Sequence, residues 1–197
     1  MISPNRHLIL ASSSPFRREL LARLGLNFDC VSPDIDEQRG DKEPAEKLVQ
    51  RLALEKAEAV ASGHPDALII GSDQVAVLNN GDVLGKPGSR DKAIAQLLAA
   101  SGSKVTFLTG LCLLNAKTGE HQLCCEPFAV QFRQLTTEMA ERYVDKEKPL
   151  NCAGSFKSEG LGITLFERFI GEDPNSLIGL PLIRLTDMLA KEGIALP

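Results

Sequence analysis

Three groups of charged side chains stand where the local pattern has no use for a charge. Asp73 follows the apolar run Leu68-Ile69-Ile70-Gly71-Ser72, and ligands of α/β sheets gather at the carboxyl ends of such strands. An acid there can hold a divalent cation or accept a proton from water; a turn or capping aspartate is the competing explanation. Gly71 beside it would let a backbone or a substrate approach closely. Lys56 falls near the middle of the stripe made by Leu48, Val49, Leu52 and Val60 when residues are spaced by about 100°. Lysine rarely stays buried unpaired. Either its stem packs while the ammonium snorkels to water, or it is aimed at carboxylates or phosphates. Arg17 and Arg18 open a helix, where cations oppose the dipole at a cost of roughly a few tenths of a kcal/mol. The hydroxyls of Ser12, Ser13 and Ser14 lie just before them. An anion would gather all these donors; two solvated arginines would need none of them.

Other clusters point to weaker or different chemistry. Asp34, Asp36 and Glu37 supply hard oxygens but lack the spacing of a calcium loop. Gly81-Asp82-Val83-Leu84-Gly85-Lys86-Pro87 imitates a phosphate-binding P-loop. Its glycines are one residue too close and Pro87 stands where Ser or Thr is required, so the motif is rejected, although Lys86 could still reach an anion. The glycine-rich stretch from Ala153 to Gly162 has the polar side chains of a binding loop. A Ser155/Lys157 hydrolase dyad is conceivable there, without the nucleophile elbow that would frame it. His7, His64 and His121 stand singly, so neither a Ser-His-Asp set nor a histidine metal site is evident. The five cysteines are odd in number and form no Cys-x-x-Cys pair, which predicts reduced thiols rather than disulfides or a zinc site.

The elements that must position these residues follow from periodicity. His7 to Ala11 reads as a buried strand. A helix runs from the N-cap Ser14 and Pro15 to Gly25, with Phe16, Leu20 and Leu24 on one face. A second helix spans about Pro44 to Ser62, Ala67 to Ser72 is a strand, and Asp91 to Ala100 is a third helix. Val105 to Asn115 and Phe128 to Leu135 read as an antiparallel pair, Thr137 to Lys146 as a short helix, and Leu182 to Lys191 as the closing helix before Gly193. This interleaving predicts an α/β fold with a mixed sheet. The 197 residues, 43% hydrophobic and 24% charged, suit one domain over 1–197, with room for two lobes. The net charge of -4 argues against a broad footprint on a nucleic-acid polymer or a membrane. The run Leu8-Ile9-Leu10-Ala11 is too brief for a signal peptide core, and no apolar stretch approaches the roughly 20 residues of a membrane span. A cytoplasmic protein is expected.

In this order, the pieces resemble the Maf family of nucleoside triphosphate pyrophosphatases. The matching segments are Leu10 to Arg18, Asp36-Glu37, Glu55-Lys56-Ala57, Gly71-Ser72-Asp73-Gln74, Gly85-Lys86-Pro87 and Ala153 to Gly160. The resemblance implies a Ham1-like, ITPase-like fold with a deep nucleotide-binding cleft, a Mg²⁺ or Mn²⁺ ion, and hydrolysis between the α- and β-phosphates; it leaves a homodimer open. It makes Asp73 the proton acceptor. It places Ser12, Arg17, Lys56 and Lys86 at the phosphates, and Glu37 with Asp73 at the metal. Phe16, Gln74 and Glu159 look like the pattern of the branch acting on 7-methyl-GTP rather than on dTTP and UTP. N7-methylation makes the purine cationic; an aromatic face attracts a cation by roughly 0.5–2 kcal/mol, and a carboxylate adds Coulomb attraction and accepts N–H groups. The competing reading places Phe16 in the core with Leu20 and Leu24. A nucleotide-binding regulator without turnover is the alternative of a different class.

Overall fold

The computed structural model describes residues 6–197. Its strands are β1 (Leu8–Ala11), β2 (Asp29–Val31), β3 (Leu68–Val77), β4 (Val83–Leu84), β5 (Lys104–Asn115), β6 (His121–Phe132) and β7 (Phe166–Ile170). Its helices are α1 (Pro15–Ala22), α2 (Ala45–Ala61), α3 (Arg90–Ala100), α4 (Thr137–Glu147), α5 (Pro174–Ile178) and α6 (Leu182–Lys191). The strand order is β2-β1-β3-β5-β6-β7, with β4 paired to β3. β1 is parallel to both neighbours, Ile9 facing Asp29 and Ile69, and such pairs need the crossovers that α1 and α2 supply. β4 on β3 and β7 on β6 are antiparallel. The sheet is therefore mixed and flanked by helices, as the interleaved pattern predicts.

The departures are local. β3 continues five residues past Ser72, because Asp73 and Gln74 interrupt the apolar run without interrupting the ladder. β6 begins at His121 rather than Phe128; its first half is polar and partly exposed, and Pro127 breaks the strand signal. The short β2, β4, β7 and α5 lack the length for a period to register. The stretch after Ala153 is not an open loop. Ala153–Ser155 and Leu161–Leu165 are 3₁₀ turns, and Gly154, Ser155 and Phe156 are buried.

Two compact units share the chain, one of residues 6–73, 109–126 and 179–197, the other of 74–108 and 127–178. Each has its own apolar core. In the first, Ile9, Ala11 and Ile69 pack with Ala53, Ala57 and Cys112. In the second, the rings of Phe132, Phe156 and Phe166 meet edge to face, with Phe156 and Phe166 centroids 4.6 Å apart.

Within the first unit, α2 lies unusually close to the strands. A Cβ on Gly71 would sit 2.0 Å from the Ala53 carbonyl oxygen, and one on Gly110 2.0 Å from that of Val49. The close approach expected at Gly71 is thus made by a helix backbone, and it fixes the height of α2 above β3. Gly71→Ala should destabilise the protein by about 1–3 kcal/mol, lowering Tm by roughly 2–12 °C in calorimetry. An unchanged Tm would contradict this packing.

Candidate functional site

β1 ends at Ala11, which faces Gly71 of the longer, parallel β3 in register. Ser12 therefore follows the carboxyl end of β1, and Asp73 lies within β3 two residues past that register. Both are buried, at 7% and 8% exposure. Ser12 Oγ accepts the Ser14 amide at 3.1 Å, and Ser14 Oγ in turn caps α1 by accepting the Arg17 amide. The Ser-rich turn thus orders the start of α1.

Lys56 does not snorkel. Its residue exposure is 5%, and Nζ lies 2.6 Å from Asp73 Oδ1 and 2.8 Å from Glu37 Oε1. The stripe of α2 carries the ammonium down against β3 because the helix rests on Gly71. Glu37 reaches it from the exposed loop before α2. Arg17 is half-buried and Arg18 exposed, so the two arginines differ in kind. Arg17 Nε donates to the Gly179 carbonyl at 2.8 Å, and the same carbonyl accepts Ser72 Oγ at 3.1 Å. Burial lowers the Arg17 guanidinium from its ordinary value, while Asp73 and Glu37 pull it back up. Two cations and two carboxylates are therefore gathered together, each charge offset by an opposite one.

Glu37 is held through the chain that follows it. Arg51 on α2 grips Glu43 with two bonds of 2.8 and 2.9 Å, donates to the Gln38 carbonyl at 3.0 Å, and pairs with Glu55 one turn on. Glu43 Oε2 also accepts the Gly40 amide at 3.0 Å. These bonds hold the Glu43 carboxyl down at about 2. Asp36 turns back to its own loop, accepting the Gln38 amide, and Asp34 is exposed. Neither joins the group around Lys56.

Gln74, Lys86 and Glu159 belong to the second unit. Gln74 Nε2 donates to the carbonyls of Ser176 at 2.7 Å and Leu177 at 3.2 Å, so its amide nitrogen secures α5. Lys86 is exposed in a turn whose Pro87 is buried and whose Gly88, at φ +69°, donates to the Leu150 carbonyl. Glu159 is exposed on the 157–161 turn. Both charges flank Cys152: burial pushes that thiol up to about 11, Lys157 and Lys86 pull it down, and Glu159 and Glu147 push it up. Gln96 ties these segments together, donating to the Gly85 carbonyl and accepting from Ser155 Oγ. Ser155 is fully buried and Lys157 is paired with Glu147, so no Ser/Lys dyad exists. Phe16 is half-buried while Leu20 is fully buried, so it is not a core residue of α1. Arg51, Gln96 and Glu147 were missed by sequence reasoning, since a polar residue whose task is to hold another segment leaves no periodic signal.

Among the described residues no group of three metal-ligating side chains occurs. Glu37 and Asp73 offer two hard carboxylates, which fits Mg²⁺ or Mn²⁺ held by one or two carboxylates with substrate phosphates, not a closed protein cage. No helix among the described residues is long and apolar enough to cross a membrane.

A family model described as "Maf-like protein" matches residues 7–192. A 7-methyl-GTP pyrophosphatase of Alcanivorax borkumensis is 65% identical over 190 residues, covering 96% of both chains. Proteins of the same name from Pseudomonas putida and Pseudomonas aeruginosa are 62% and 59% identical, covering 96% of this chain and 98% of theirs. Among solved structures, a HAM1 protein from Coxiella burnetii superposes with a TM-score of 0.55 at 14% identity, over 95% of this chain and 100% of that one; that likeness concerns the fold.

The depressed Glu43 carboxyl gives the loop around Glu37 a pH signature. Its folded value lies below the ordinary 4.5, so its contribution to stability is complete above 4.5 and is lost as pH falls toward about 2. Glu43→Gln should therefore melt below the wild type at neutral pH, and the gap in Tm should close between pH 4.5 and 2. A gap that persists into acid would contradict the ion pair with Arg51.

Proposed function

The chain belongs to the Maf-like protein family, and we propose that it hydrolyses the α–β phosphoanhydride of a nucleoside triphosphate. The preferred substrate is 7-methyl-GTP, giving 7-methyl-GMP and pyrophosphate. The observation that carries the reaction class is Lys56, buried between Glu37 and Asp73 with Arg17 beside them. A pure anion sensor gains nothing from carboxylates set among its cations. A hydrolase needs both: cations for the phosphates, and carboxylates for a metal and for the water proton. The shared name of relatives at 59–65% identity supports the substrate.

In this reading Asp73 accepts the proton of the water that attacks the α-phosphorus. Lys56 and Arg17 bind phosphate oxygens and stabilise the charge that develops on the pyrophosphate leaving group. Ser12 adds a hydroxyl, and the capping turn that it orders aims α1 at an anion. Lys86 contributes a further cation on a turn kept rigid by Pro87. Glu37 and Asp73 would hold Mg²⁺ or Mn²⁺, which when bound neutralises phosphate charge and lowers the pKa of water. Phe16 and Glu159 recognise the cationic methylated purine, the first by its ring face and the second by its charge. Gln74 supports base recognition by fixing α5 through its amide nitrogen.

Pyrophosphate release from a panel containing 7-methyl-GTP, GTP, dTTP and UTP tests this proposal. The highest kcat/KM should belong to 7-methyl-GTP, with activity abolished by EDTA and restored by Mg²⁺ or Mn²⁺. Asp73→Asn should lower kcat by roughly a hundred- to ten-thousandfold while the folded variant still binds nucleotide. Full turnover by Asp73→Asn would remove its role as proton acceptor, and equal rates for GTP and 7-methyl-GTP would remove the base assignment.

A further inference from the structure

We infer that Glu147, at the C-terminal end of α4, is a positioning residue that sets Glu159 and thereby the preference for a cationic N7-methylated purine over its unmethylated counterpart. The inference rests on the base-reading role proposed for Glu159. Its starting point is an anomaly in the helix itself. Glu147 is the last residue of α4, where a carboxylate opposes the negative end of the helix dipole. A residue so placed has to be stabilised by something outside the helix.

The contacts of Glu147 supply that stabilisation. Its Oε1 lies 3.2 Å from Lys157 Nζ, and its Oε2 accepts the Leu161 amide at 2.8 Å. Its own backbone carbonyl accepts Lys157 Nζ at 3.0 Å. Tyr143, one turn earlier and buried, accepts the Lys157 amide on its hydroxyl at 3.0 Å. The residues two before and two after Glu159 are therefore both tied to the same helix end. Between them the Gly160 amide donates to the Lys157 carbonyl at 3.3 Å and closes the turn.

The glycines are what admit this staple. A Cβ on Gly160 would come 2.9 Å from Glu147 Oε2, and one on Gly162 would come 2.2 Å from the Lys157 carbonyl. Glu159, in contrast, is exposed, and Ser158 Oγ approaches it at 3.4 Å. An exposed glutamate in a glycine-rich turn would otherwise range widely at little cost. Coulomb attraction to a cationic ring halves when the separation grows from about 4 to about 8 Å, so the staple converts a loose charge into a discriminating one.

Kinetics with 7-methyl-GTP and GTP on Glu147→Ala, Glu147→Gln, Glu159→Gln and the Glu147→Ala/Glu159→Gln double variant test this. Glu147→Ala should raise KM for 7-methyl-GTP by about tenfold with kcat unchanged, and leave kcat/KM for GTP within about twofold. Glu147→Gln keeps one acceptor for the Leu161 amide and should lose less. The double variant should be no less selective than Glu159→Gln alone. Should Glu147→Ala fail to fold, Lys157→Met breaks the same ion pair from the loop side and carries the same expectation. If Glu159→Gln loses the preference while Glu147→Ala and Lys157→Met keep it, the positioning role is wrong. If Glu159→Gln itself keeps the preference, the base-reading role beneath it is wrong.

Discussion

An ammonium buried among aliphatic side chains must be paired, and here the pairing of Lys56 with Asp73 and Glu37 organises the first unit. For the pair to form, α2 has to lie close enough to β3 for a lysine in its apolar stripe to reach Asp73 within the strand. Gly71 and Gly110 make that approach sterically open. Glu37 has to reach in from an exposed loop, and Arg51 holds the segment after it by way of Glu43 and the Gln38 carbonyl. Replacing such a group by apolar residues is commonly neutral or stabilising. Its presence therefore speaks for chemistry rather than for stability.

In the second unit the exposed charges Lys86 and Glu159 are carried on turns that neighbouring segments hold. Pro87 and Gly88 fix the turn of Lys86, Gln96 joins Gly85 to Ser155, and α4 grips both sides of Glu159. An exposed side chain gains no rigidity from burial of its own. Its order is borrowed from the neighbours that hold its turn.

What the sequence made legible was whatever breaks a local rule. Lys56 interrupts a helical stripe, Arg17 sits at the wrong end of a dipole, and Asp73 ends an apolar run. Each of these proved to belong to one group of charges. Glu37 and Lys86 showed only as possible ligands in an acidic loop and a glycine-rich turn, and the family resemblance gave them places; it alone singled out Phe16, Gln74 and Glu159 as readers of the base. Long elements with a clear period, such as α6 from Leu182 to Lys191, were placed to the residue. β2, β4, β7 and α5 were not, being too short to show a period, and the first half of β6 hid behind its polar side chains and Pro127. Gly71 was legible as a point of close approach, but only the structure shows that a helix makes it. Arg51, Gln96 and Glu147 escaped notice because a tertiary partner is not encoded in spacing.

On the proposed function, Lys56 is buried for the substrate's sake. The most direct test is the Kd, by calorimetry, of a 7-methyl-GTP analogue whose α–β bridging oxygen is replaced by a methylene. The wild type and a Lys56→Met variant shown to be folded by its amide NMR spectrum would be compared. Loss of the ammonium should weaken binding by at least about tenfold, the scale of one charge-assisted phosphate contact. An unchanged Kd in the folded variant would mean that Lys56 serves only its two carboxylates and binds no phosphate.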